Sequence, residues 1–253
     1  TYLGAIITLL QAFSSTADVL EILDEYRKDL ENRQRMEQKR LESQVKSESQ
    51  EKNWVDLEEL QKVVDTYGDE INLKRLFEKE DLTLKEFHLI QKNIVGMLYV
   101  GDIKNNPPMR LDFAPMKILH ISDYKKQEQK ENALVVCSKS KMFFEFVDYK
   151  TNKTYGTKKI PLGDTLIKLM NKWLKINKTN SLLINQRGNP MKSNELSKLV
   201  NNIFSPTGKK VGVTLIRHIV ISKLYPAQLE ERKTTADLMA HSVPQQTLYS
   251  KKI

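Results

Sequence analysis

The 253-residue sequence holds a single cysteine, Cys137, which excludes an internal disulfide framework and any zinc site built on several thiolates. Cys137 closes the apolar run Ala133-Leu134-Val135-Val136-Cys137, where it reads as a packed strand residue, and this thiol usage fits a reducing, intracellular compartment. No run is long and apolar enough to cross a bilayer, so no membrane partner is expected. The opening stretch Leu3–Phe13 is apolar but short. It has no preceding basic region and no small-residue cleavage site, so it does not read as a secretion signal. No internal repeat is present. The chain opens at Thr1 without a methionine and reads as a fragment.

Acidic residues are the scarcer charge: 41 Lys and Arg stand against 32 Asp and Glu, a net +9. That excess favours a polyanionic partner, because neutralising phosphates releases their condensed counterions. The length allows one large domain or two small ones, with a sizeable core.

The residues from Tyr2 to Phe13 predict an apolar helix. A second helix begins after Ser14-Ser15-Thr16-Ala17, with Leu20, Leu23, Tyr26 and Leu30 at helical spacing. From Asp29 to Asn53 the sequence turns almost wholly polar. It reads as a solvated helix or linker, or as a basic helix along a nucleic acid backbone. A new unit starts at Trp54, so the expected domains are 1–53 and 54–253. Thr83-Leu84-Lys85-Glu86 is a capping box opening a helix that runs through Phe87, Ile90, Ile94 and Leu98 to Gly101. Asn105-Asn106-Pro107-Pro108 then breaks any helix. Three strand-like runs follow (116–121, 133–137 and 143–147), then a polar hairpin, Tyr149–Thr157, that leads into Lys159-Ile160-Pro161-Leu162. Beyond these, Asp164 is expected to cap a helix through Ile176, Ser193 or Asn194 to start another, and Val213–Tyr225 and Thr235–Ala240 to form two more. Helices around a small meander sheet make an α+β domain, mainly helical.

Several polar residues stand out against this frame. Arg110 follows the Asn-Asn-Pro-Pro break, with Asp112 two residues on as an ordinary surface partner. Lys150 and Lys153 lie in the hairpin, where lysine also serves solubility. Arg217 sits inside Leu215-Ile216-Arg217-His218-Ile219-Val220-Ile221, whose flanks demand burial, and a buried guanidinium must be paired with an acid or a phosphate. His241 follows a helix end, and Tyr249 is one of nine tyrosines. Each alone has a plain structural explanation; their order does not.

That order is Arg in Asn106-Pro107-Pro108-Met109-Arg110-Leu111-Asp112-Phe113, Lys in Tyr149–Gly156, Leu215-Ile216-Arg217-His218, Met239-Ala240-His241-Ser242-Val243, and finally Tyr249. It resembles the tyrosine recombinase (phage integrase) family, in the flavour found in large eukaryotic DNA viruses and related mobile elements. The resemblance runs from about Trp54 to the C-terminus. It implies a catalytic domain like those of tyrosine recombinases and type IB topoisomerases, with a small antiparallel sheet. The residues before Trp54 would be the last helices of a truncated core-binding domain.

The chemistry implied is strand cleavage by attack of Tyr249 on a DNA phosphodiester. Arg110 and Arg217 would grip the non-bridging oxygens without a metal or cofactor, and His241 would donate a further hydrogen bond. A hairpin lysine would protonate the departing 5′ oxygen. Counting back from Pro161 favours Lys153, where the family lysine precedes an Ile-Pro or Val-Pro step, and Lys150 stays a candidate. The resulting 3′-phosphotyrosyl bond conserves energy for rejoining. The implied partner is double-stranded DNA, with self-assembly into a dimer or tetramer, in the nucleus or in a cytoplasmic viral factory.

One position departs from the family pattern. Thr214 stands where a His or Lys is usual three residues before the second arginine; its hydroxyl can bond a phosphate oxygen but cannot act as a base. His218 could compensate, or it could be satisfied by a backbone carbonyl. Two other readings of the array are a type IB topoisomerase that relaxes supercoils and a non-catalytic DNA-binding relic of the fold.

Overall fold

The computed structural model describes residues 2–13, 17–43, 45–126 and 129–224. The expected helix Thr235–Ala240, His241 and Tyr249 lie outside the described residues. The chain divides into two compact units between Ser49 and Gln50. No described helix is long and apolar enough to cross a membrane.

In the first unit, α1 (Tyr2–Ala12) packs on α2 (Ala17–Ser43), burying Ile7 and Leu23. The polar stretch after Asp29 is helical to Ser43. Its exposed face carries i,i+4 pairs such as Arg33 Nε to Asp29 Oδ2 at 3.1 Å, which support a helix with little apolar face to bury. The division between the units falls within the next short helix, α3 (Glu48–Asn53).

The second unit is mixed α and β. Its helical half opens with α4 (Leu57–Leu73) and α5 (Leu84–Gly96). The expected capping box is in place: Thr83 Oγ1 accepts from the Glu86 N–H at 3.3 Å, and the Glu86 carboxylate accepts from the Thr83 N–H at 2.9 Å. Leu60, Val64 and Ile71 of α4 meet Ile90 and Ile94 of α5, all at most 1% exposed. The two helices approach closely at Gly96, where an added Cβ would lie 2.5 Å from Val64 Cγ2. Valine is stiff at χ1 and cannot swing away. Gly96→Ala is therefore expected to destabilise the unit by about 1–3 kcal/mol in urea denaturation, with an unchanged m-value.

After Gly96 the helix widens into a π-turn, Met97–Gly101, before the Pro-Pro break. Four strands follow: β1 (Lys117–His120), β2 (Ala133–Ser138), β3 (Lys141–Phe146) and β4 (Lys158–Pro161), in the order β1-β2-β3-β4. The sheet is not the all-antiparallel meander expected. β2, β3 and β4 pair antiparallel, but β1 pairs with β2 in parallel, Lys117 opposite Ala133 through His120 opposite Val136. A parallel pair needs a crossover of about a dozen residues rather than a tight turn. The segment 121–132 supplies it, beginning with the short helix α6 (Ile121–Tyr124). Tyr124 covers the sheet's outer face, its ring edge-on to Phe143 and its hydroxyl donating to Glu145 Oε1 at 2.9 Å. On the opposite face Phe144 and Phe146 pack around Phe113.

The hairpin expected over 149–157 is instead a helical turn, α7 (Asn152–Tyr155). Asn152 Nδ2 donates to Val147 O at 2.7 Å, and Gly156, at φ +65°, closes the turn with its N–H on Asn152 O at 2.7 Å. Three helices complete the unit: α8 (Asp164–Ile176), α9 (Ser193–Ile203) and α10 (Val213–Leu224). Asp164 is the first helical residue of α8 rather than its cap. The cap is Gly163, where a Cβ would stand 2.1 Å from Asp102 Oδ2.

Candidate active site

Arg110 sits on an irregular loop, and each end of that loop is tied down by a hydrogen bond the sequence did not announce. The buried Asn106 donates from Nδ2 to Pro161 O and accepts at Oδ1 from the Gly163 N–H, both at 3.1 Å, fixing the loop to the end of β4. Tyr99, in the π-turn, donates its hydroxyl to Arg110 O at 2.7 Å while its ring packs edge-on against Phe113. Burial raises the Tyr99 phenol above its ordinary range, so it stays a hydrogen-bond donor at physiological pH. Widened helical turns of this kind recur at functional sites because they re-aim one side chain.

Arg217 reaches the same place from α10. That helix buries Val213, Ile216, Ile219 and Val220 and turns Thr214, His218 and Ile221 to the exposed side, with Arg217 half-buried at the margin. The apolar flanks predict burial, and the side chain is only partly buried. The helical period explains the difference: residues 213, 216 and 220 share one stripe, and 214, 217 and 221 share the other.

Arg110, Thr214 and Arg217 line one cleft of about 640 Å³, together with Asp112, Asp148, Tyr149, Lys150, and Ser193 and Ser197 of α9. Of the two candidate lysines, Lys150 lines this cleft. Lys153 does not: it lies on α7, a few residues further along the chain, and both side chains are exposed. The turn carrying Lys150 is held shut by Tyr149, whose hydroxyl donates to Gly156 O at 2.6 Å. His218 is exposed and does not line the cleft.

The electrostatics are those of a site built for an anion. Among the described residues neither the Arg110 nor the Arg217 guanidinium has an ion pair or hydrogen bond. Burial, and then the like charge of Arg110, lower the Arg217 pKa, while Asp112 and Tyr99 pull it the other way. Burial raises the Asp112 carboxyl, opposed by Arg110, by backbone N–H groups and by Arg217. Two mutually repelling guanidiniums therefore share one carboxylate that neither touches, and a bound phosphate would relieve both. Among the described residues no cluster of three His, Cys, Asp or Glu side chains is placed to hold a metal ion.

Among the residues of this site that sequence reasoning missed is one that ties its walls together. Asn132, at the entrance to β2, is 3% exposed and spends its whole side-chain amide on the cleft walls. Its Nδ2 donates to Asp148 O at 2.8 Å and to Asp112 O at 3.3 Å, and its Oδ1 accepts from the Val147 and Asp148 N–H groups, both at 2.9 Å.

A second, larger groove of about 1810 Å³ adjoins the cleft, with Pro115 and Ser193 lining both. Seven basic side chains face it, among them Lys85, Lys92, Lys117 and Lys192, against four glutamates.

No protein-family model matches the sequence, and no curated protein does. Solved structures similar to it include two complexes of one recombinase. One is the XerH site-specific recombinase bound to difH substrate in a pre-cleavage complex, at TM-score 0.39 and 16% identity over 79% of this chain and 50% of that one. The other is the same recombinase on a palindromic difH substrate in a post-cleavage complex, at TM-score 0.39 and 15% identity over 78% of this chain and 49% of that one. The chain spans about half the length of these solved chains.

Proposed function

We propose that this chain cuts and rejoins DNA as a tyrosine recombinase, through a 3′-phosphotyrosyl intermediate. The observation that carries the reading is the meeting of Arg110 and Arg217 in one cleft, half-buried and without a carboxylate partner among the described residues. Guanidiniums held apart from carboxylates and near each other suit an oxyanion whose charge grows in the transition state, as in a pentavalent phosphorane. Lys150, lining the same cleft, serves as general acid for the departing 5′ oxygen, and the Thr214 hydroxyl can bond a non-bridging oxygen. His241 and Tyr249 keep the roles their order in the sequence suggests, a further hydrogen bond to the phosphate and the nucleophile. The groove beside the cleft, with its basic excess, takes the flanking duplex. Recombination further requires that copies of the chain assemble on two DNA partners.

A duplex nicked one base beyond the cleavage site tests this reading, because loss of the short leaving strand traps the covalent adduct. Wild-type protein is expected to form the adduct and Tyr249→Phe to form none. Binding without an adduct would instead support a DNA-binding relic. Relaxation of supercoiled circles without strand exchange between two partners would support a topoisomerase.

Duplex affinity should also fall steeply with salt. Engagement of six or more phosphates in the cleft and groove corresponds to a loss of about 1000-fold between 50 and 200 mM salt. Fluorescence anisotropy across that range measures the slope, and a flat response counts against phosphate contacts as the main source of affinity.

A further inference from the structure

We infer that Asn132 is a positioning residue that holds the Lys150 turn in register with the Arg110 loop, so that acid and guanidinium address the same phosphate. This rests on the function proposed above. The two walls come from distant parts of the chain: one is the loop ending at Asp112, the other the segment after β3 that begins at Val147. Asn132 bridges them with one side chain. Its donor half reaches Asp112 O and Asp148 O, and its acceptor half takes the Val147 and Asp148 N–H groups. Its backbone carbonyl accepts the Lys117 N–H at 2.9 Å, which anchors the bridge to β1.

A side-chain amide has two donor hydrogens and one carbonyl oxygen, and here every one is used. No other side chain of this size both donates twice and accepts twice. The site therefore requires an amide, well beyond a need for polarity at a strand entrance. Lys150 itself lies two residues from Asp148, so an ångström of drift at Asp148 O carries to the ammonium that must meet the 5′ oxygen. Misplacement on that scale is enough to cost a large rate factor.

Asn132→Asp separates the bridge from the fold. The carboxylate keeps both acceptor bonds but loses both donors and faces two carbonyl oxygens instead. Asn132→Ala removes all four contacts, and thermal unfolding of both variants reports their folding. The functional readout compares two nicked duplexes, one with an ordinary phosphodiester and one with sulfur in place of the bridging 5′ oxygen at the cleavage site. As the Tyr249 oxygen gives up its phenolic proton to solvent and forms its bond to phosphorus, the P–O5′ bond breaks and O5′ takes a proton from the Lys150 ammonium; a thiolate leaves without one.

For Asn132→Asp the adduct rate on the ordinary duplex is expected to fall about 100-fold, the low end of a general acid's contribution, with DNA affinity unchanged. On the sulfur-bridged duplex most of that loss should disappear, and the same pattern should hold for whatever fraction of Asn132→Ala folds. An equal loss on both duplexes, or no loss on either, overturns the positioning role. Failure of the wild-type protein to form an adduct on either duplex would instead overturn the function proposed above.

Discussion

Arg217→Met is expected to cut the rate of adduct formation by about 1000-fold, roughly 4 kcal/mol of transition-state stabilisation, while leaving the fold at least as stable as before. Methionine retains an apolar stem to pack between α10 and the cleft, so the substitution removes mainly the charge. In the described structure that charge is desolvated, repelled by Arg110 and unpaired by any carboxylate. Removing it relieves a cost rather than breaking a bond, the pattern of a functional residue held at the expense of stability. Single-turnover cleavage and urea denaturation, run side by side, measure both halves. A variant that cleaves at the wild-type rate removes Arg217 from the chemistry. A variant that unfolds at markedly lower urea shows that the guanidinium has a structural partner.

The second large effect separates the two lysines. Lys150→Ala should slow cleavage by about 100- to 10,000-fold, the range a positioned general acid contributes. Lys153→Ala should change the rate by no more than about twofold, as exposed surface substitutions do. Both side chains are exposed, and the geometric difference is that Lys150 lines the cleft whereas Lys153, on α7, does not. Rates on the same nicked duplex decide the matter, and the reverse ranking would return the acid role to Lys153.

The lysine assignment shows where sequence reading reached its limit. Counting back from Pro161 to the family's lysine favoured Lys153, within an expected hairpin. The chain instead coils into α7 between Asn152 and Tyr155, and Gly156 turns it back, which leaves Lys150 lining the cleft and Lys153 outside it. The helices were more legible. The capping box at Thr83 and Glu86 and the apolar periods of α4 and α5 are local patterns, and local patterns stand where short-range physics puts them. The parallel pairing of β1 and β2 was not legible, because alternation marks a strand without naming its partner. Nor was the Asp164 cap, since Gly163 takes that place to clear Asp102.

Of the site itself, the sequence order singled out Arg110 and Arg217, and the fold brings both to one cleft. The support beneath them was hidden. A lone tyrosine in an apolar helix and a lone asparagine before a strand have no signature until Tyr99 O–H is found on Arg110 O and the Asn132 amide between two walls. Thr214, the departure from the pattern the sequence resembles, lines the cleft with Arg217.

The most direct test of a tyrosine-mediated strand transfer is to identify the bond itself. Adduct trapped on a nicked duplex is digested with protease and nuclease, and the residual nucleotide is located by mass spectrometry. A phosphotyrosyl linkage at Tyr249 to the 3′ end of the cleaved strand is the expected result. Attachment at any other residue, linkage to a 5′ end, or duplex that is bound but never joined would contradict it.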